Sequence, residues 1–141
     1  MRIGCRAKVF SIVALVTLLV GCGSGGQAQG PKTVPVRGKV IFTKGGDVKT
    51  LFDRQARIEF ESVDQPGVRA VGMIEEDGSF SLATIVDGNG SKGAVSGTHR
   101  VRFLLDERDE KFIAPQFLDF AKSAVTVKLP SDGPLEIKVW R

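Results

Sequence analysis

Tyrosine is absent from this chain, and histidine occurs once, at His99. Together these gaps remove most of the metal and acid–base chemistry open to a small domain, because a zinc centre needs three or four N, S or O ligands and one imidazole cannot supply them. Cysteine is almost as scarce: Cys5 and Cys22 are the whole complement. Both lie near the N-terminus, so no disulfide framework can staple the rest of the chain. Nor is there an apolar helix of the ~20 residues that a bilayer requires, since the run Val9 to Val20 covers only twelve.

What the N-terminus does contain is an export signal. Arg2, Arg6 and Lys8 precede the short apolar run, which ends in Leu19-Val20-Gly21-Cys22. A cationic segment, a short apolar segment and a small residue before the cleavage point are the parts of a secretory signal. The ending resembles the lipobox of bacterial lipoprotein precursors, in which the thiol after the small residue is lipidated and the signal is then removed. A thiol is the best nucleophile available to attack an acyl-lipid donor, and Gly21 leaves the backbone at the cleavage point open. Cys22 could in principle pair with Cys5, but Cys5 lies in the segment to be removed. The resemblance implies Cys22 as the lipidation site, the Gly21–Cys22 bond as the cleavage site, and attachment to a membrane through a diacylglyceryl group. One acyl chain binds marginally, whereas two anchor stably. Gly23 stands where sorting signals often place aspartate for inner-membrane retention, so the expected location is exported and outer-membrane.

Removing residues 1–21 leaves 120 residues, the size of one domain. It also removes three cations, so that 17 basic residues face 16 acidic ones. A basic face of the kind that binds nucleic acid loses its compositional support, and no nucleic-acid partner is expected. Residues 22–33, which include Gly23-Ser24-Gly25-Gly26 and Gln27-Ala28-Gln29-Gly30, have no apolar period and read as a Gly/Ser-rich tether. The folded domain is then 34–141.

That domain reads as strands. Val36, Gly38, Val40 and Phe42 alternate with Arg37, Lys39 and Ile41. Ile58 and Phe60 flank Glu59, and a third strand runs from Val68 to Ile74. Glu76-Asp77-Gly78 between apolar runs is a strong hairpin signal, with Ser79 to Leu82 alternating out of it. His99, Val101, Phe103 and Leu105 share a face of a long strand, opposite Arg100, Arg102 and Leu104. Val125 to Leu129 and Leu135 to Trp140 complete seven strands, the number expected of a sandwich. Asp87 to Gly93 reads as a loop, Asp106 to Glu110 as a solvated charge run, and Phe112 to Lys122, around Pro115, as an irregular crossover.

The opening Val34-Pro35-Val36-Arg37-Gly38-Lys39-Val40, the turn Glu76-Asp77-Gly78-Ser79-Phe80, the strand entry Gly93 to Val101 and Ile113-Ala114-Pro115-Gln116-Phe117 occur in that order. Together they resemble the transthyretin-like, carboxypeptidase-regulatory-like domains of small bacterial lipoproteins, those of planctomycete type in particular. The resemblance implies an all-β, seven-stranded Greek-key sandwich (transthyretin-like, or prealbumin-like) over nearly all of Val34 to Trp140. The chain departs from the pattern at His99, where an aromatic is usual, and in the long, charged segment Val48 to Ala56. Enzymes with similar sandwiches need several histidines and a C-terminal Tyr-Arg-Gly-Ser, or two tyrosines and two histidines for iron. This chain ends Val139-Trp140-Arg141 and has neither set.

The remaining candidates are few. His99 reads as a core-edge residue with one nitrogen satisfied. Asp87-Gly88-Asn89-Gly90-Ser91 echoes the start of a calcium loop but lacks the glycine at position six and the closing glutamate. Glu75-Glu76-Asp77 and Asp109-Glu110 fall in turns, where solvated carboxylates are the ordinary case. Arg100, Arg102, Lys128 and Lys138 could line a cationic sheet face, or pair with Glu59 and Glu136. Phe52, Phe117, Phe120 and Trp140 are the aromatics open to exposure. No catalytic residue, metal or cofactor is expected. The sequence therefore points to a lipid-anchored, non-enzymatic envelope protein whose partner is an unknown envelope protein or a glycan, the alternative being a carbohydrate-recognition module.

Overall fold

The structure is a computed structural model, and it describes residues 30–86 and 88–141. The signal, Gly21, Cys22, most of the tether and Asp87 lie outside the described residues. Eleven strands are present: β1 (Thr33–Val34), β2 (Arg37–Lys44), β3 (Arg57–Ser62), β4 (Arg69–Met73), β5 (Ser79–Ser81), β6 (Ala83–Val86), β7 (Asn89–Lys92), β8 (Ala94–Val95), β9 (Gly97–Leu104), β10 (Thr126–Leu129) and β11 (Leu135–Trp140). One helix, α1 (Val48–Asp53), and two 3-10 turns at Glu107–Phe112 and Pro115–Phe117 are the other elements among the described residues. No described helix is long and apolar enough to cross a membrane.

The domain is an all-β sandwich. Its larger sheet has the order β10-β9-β3-β4-β6-β7, its smaller sheet the order β11-β2-β5, and β1 pairs with β8 in a separate two-stranded ribbon. Pairing is antiparallel throughout the larger sheet, whereas β11 runs parallel to β2. All seven strands expected from alternation are present. The four additional ones, β1, β6, β7 and β8, are short and poor in apolar alternation, which is why they carry no period-2 signal.

Alternation explains the core directly, because successive side chains leave a strand on opposite faces. On β3 and β9, Ile58, Phe60, His99, Val101 and Phe103 turn inward and are buried. Ile58, Phe60, Val101 and Phe103 meet Val40, Ile137 and Val139 from the smaller sheet in one cluster. Gly38 makes room for this packing: a Cβ there would lie 2.5 Å from Cζ of Phe80. No real contact is that close, so the missing side chain at Gly38 is what lets the Phe80 ring approach β2.

The long, charged segment Val48 to Ala56 contains α1: Asp47 caps the helix by accepting from the Lys49 backbone N–H at 3.1 Å, which satisfies one of the free donors of a helix start. Leu51 and Ala56 then plug the end of the sandwich. Asp106 to Glu110 is solvent-facing, as expected of a charge run, and enters the 3-10 turn at Glu107–Phe112. Asn89 to Lys92, inside the expected loop, pairs with β6 as β7; register with Ala83 to Val86 carries it, and no apolar pattern announces it. At the other boundary, Thr33, assigned to the tether, pairs with Val95 in β1.

The Glu76-Asp77-Gly78 turn forms as expected, with Gly78 at φ +86. Its strands, however, do not continue as a hairpin. After the Ile74–Phe80 bridge, β4 stays in the larger sheet while β5 pairs with β2 in the smaller one. The turn therefore joins the two layers. A Cβ on Gly72 would meet the Ser81 carbonyl at 2.6 Å, so the layers approach closely here.

Candidate functional site

Among the described residues, no group of three His, Cys, Asp or Glu side chains is placed to hold a metal ion. His99 is 1% exposed. Its Nδ1 lies 3.2 Å from the Gly97 carbonyl, and since a carbonyl only accepts, Nδ1 carries the proton. The ring sits 6.2 Å from Phe60. Burial pushes its pKa below the ordinary histidine value, while the Gly97 contact and the charge of Asp64 work in the opposite direction. His99 is thus a buried core residue packed against Phe60, with one ring nitrogen tied to the backbone of its own strand.

The outer face of the larger sheet is where the polar chemistry collects. Register places Glu59 between Arg102 and Val71, and Glu61 between Arg100 and Arg69. Arg102 donates from Nε to Glu59 Oε2 at 2.7 Å and approaches it from Nη2 at 2.6 Å. Arg69 makes the equivalent pair with Glu61, at 3.0 and 2.9 Å. The ring of Phe120 lies between the two arginines, 4.5 Å from the Arg102 guanidinium carbon and 5.3 Å from that of Arg69. A cation over an aromatic face gains from the ring quadrupole while the arginine stem covers apolar area. Phe120 reaches this face because the crossover after Phe117 passes over the uncovered end of β9, where the Ser123 hydroxyl bonds the Val101 carbonyl.

This arrangement separates the four basic residues considered from sequence. Arg100, Arg102 and Lys128 share the outer face of the larger sheet, whereas Lys138 lies on the smaller sheet. Of the two carboxylate partners considered, Glu59 pairs with Arg102. The aromatic candidates also divide. Phe117 and Phe120 are buried, which corrects their expected availability at the surface. Trp140 is half-buried with its ring edge-on to Phe117 at 4.7 Å. Phe52, on α1, is exposed, at 38%.

The carboxylates expected in turns are at one end of the sandwich. Asp77 accepts from the Ser79 backbone N–H at 2.9 Å, and its hydrogen bonds with Ser79 hold its carboxyl below the usual range. Lys49 links Asp53 at 2.9 Å and Glu76 at 3.8 Å, with its pKa raised chiefly by the Asp53 hydrogen bond. Arg54 reaches Asp109 at 3.4 Å. Beside them Phe112 is surrounded by Arg54, Lys111 and Arg141, whose charged ends lie 5.2 to 5.7 Å from its ring centre. Sequence reading did not single out this cluster: its members come from α1, the first 3-10 turn and the last residue, with no shared period.

A recess of about 540 Å3 opens where β4 and β5 part, lined by residues that include Arg37, Met73, Glu75 and Ser79. The calcium-like loop cannot be placed as a unit, because Asp87 lies outside the described residues, as do Gly21 and Cys22. No protein family, curated protein or solved structure matches this chain.

Proposed function

We propose that this chain is an exported lipoprotein, anchored through Cys22 to the outer membrane, whose β-sandwich is a non-catalytic binding or structural module of the cell envelope. The observation that carries the reading is Leu19-Val20-Gly21-Cys22 behind the basic segment Arg2 to Lys8. Several independent requirements meet in those residues: charge, a short apolar run, a small residue and a thiol at the cleavage point. The near-neutral balance that remains once the signal is removed supports an envelope role over a nucleic-acid one.

In the same reading the sandwich is of the seven-stranded, Greek-key, transthyretin-like kind, with β1, β6, β7 and β8 as additions. Its support is the order of the sequence motifs. The partner is an envelope protein or a glycan. Carbohydrate recognition needs rings free to stack on sugars, and with Phe117 and Phe120 buried it would have to rely on Phe52 and on the half-buried Phe112 and Trp140, which favours the protein-binding or structural role.

Replacement of the anchor cysteine tests the proposal. Cys22→Ser should leave an unlipidated precursor that keeps its signal, because a hydroxyl is a poorer nucleophile and cleavage follows lipidation. Electrophoretic mobility and membrane fractionation read the result. Normal processing of Cys22→Ser would refute lipid anchoring at this position.

A further inference from the structure

We infer that the outer face of the larger sheet is a docking surface for anionic phospholipid headgroups, seated on the same bilayer that holds the anchor; this rests on the lipoprotein reading above. The first observation is charge. Arg57, Arg69, Lys92, Arg100, Arg102 and Lys128 all project from this face, against Glu59 and Glu61. A domain that is nearly neutral as a whole thus carries an excess of four cations on one side. The compensating acids are not spread evenly: Asp53, Glu76 and Asp109 gather around α1, tied there by Lys49 and Arg54. Sheet-face pairing neutralises Arg69 and Arg102, which leaves Arg57, Lys92, Arg100 and Lys128 exposed and outside the ion pairs of the described residues.

The second observation is where the chain leaves the fold. Thr33 bonds the Lys92 carbonyl at 2.8 Å, and Gly30 lies beside Ser91, so the described chain begins along β7, the outer edge of this same sheet. Cys22 is eight residues before Gly30. Eight residues reach at most about 29 Å, close to the ~24 Å width of six paired strands. The anchor therefore holds the cationic face within reach of the headgroups. Ile85, 66% exposed, lies on that face beside the tethered edge strand, and Met73, 48% exposed, lies on the same face farther in, where apolar side chains can enter the headgroup boundary. Basic residues near an anionic leaflet are each attracted to it within about a Debye length.

The test uses the full chain in a Cys5→Ala background, expressed in a bacterium and read first by intact mass. A fluorophore is placed at Ile85→Cys or, on the opposite sheet, at Lys138→Cys, and the protein is reconstituted into vesicles of phosphatidylcholine with or without phosphatidylglycerol. Quenching of the label at 85 by nitroxide-headgroup lipid should rise at least about fivefold with the anionic lipid, while the label at 138 should not respond. High salt, or the combined Arg57→Glu, Arg100→Glu and Lys128→Glu variant, should abolish the difference. A lipidated chain whose label at 85 is indifferent to phosphatidylglycerol would overturn the docking face and leave the anchor standing. An unlipidated chain that still binds anionic vesicles in a salt-sensitive way would overturn the anchor and keep the face. Failure of both readouts would overturn both.

Discussion

Arg102 and Glu59 face one another across β9 and β3 as a two-contact ion pair, at 2.6 and 2.7 Å to the same carboxylate oxygen, with the Phe120 ring closing over the guanidinium at 4.5 Å. The Glu59 side chain is only 10% exposed and that of Arg102 24%. Removing one partner should therefore cost more than at a surface pair, where the median is at most about 1 kcal/mol. Glu59→Ala is expected to destabilise the domain by about 2 kcal/mol, below the ~3–5 kcal/mol of a fully buried pair because water still reaches the arginine. Chemical denaturation of Glu59→Ala, Arg102→Ala and the double variant checks this. Additive losses would show that the two residues do not interact energetically.

Gly78 and Phe80 test the junction between the layers. Any side chain at Gly78 must adopt φ +86 and place its Cβ 2.8 Å from the Val40 carbonyl and 2.9 Å from Val48. Gly78→Val should thus lose ~1–3 kcal/mol from backbone strain, with the clash in addition. Phe80 is buried against Phe60 at 5.9 Å, and Phe80→Ala should cost ~3–5 kcal/mol. Thermal unfolding measures both. A Gly78→Val protein as stable as the parent would mean that the turn is not held as described.

The strands that pack on both sides of the core were legible because their apolar residues alternate: Val40 with Lys39 and Ile41, Val101 with Arg100 and Arg102. The turn at Gly78 was legible from its residue types. Less accessible was where each strand goes afterwards, since a turn specifies its own backbone but not whether β5 stays beside β4 or crosses to β2. The β6–β7 pairing was hidden for a different reason: Asn89, Gly90 and Ser91 have no apolar face, and backbone register alone defines them. The Phe120 stack was half visible. Period 2 placed Glu59 with Glu61 and Arg100 with Arg102, but strand order and the crossover path put Phe120 over the arginines, and no local pattern encodes either.

His99 gives a pH prediction. Burial lowers its folded-state pKa, whereas in the unfolded chain it titrates near ~6.5. Below that value the unfolded state binds a proton that the folded state resists, so stability is complete above about pH 6.5 and falls as the pH drops below it. His99→Phe, with an aromatic of similar shape, should fold and flatten this dependence between about pH 7 and pH 5.5. Melting temperatures across that window compare the two proteins. An unchanged slope in His99→Phe would assign the acid sensitivity to other groups.

Whether this sandwich hangs from a lipidated cysteine can be read from the intact mass of the native protein. A chain that begins at Cys22 and carries the mass of a diacylglyceryl group on that residue is expected. An unmodified chain beginning at Gln29, or one that retains Met1, would contradict it.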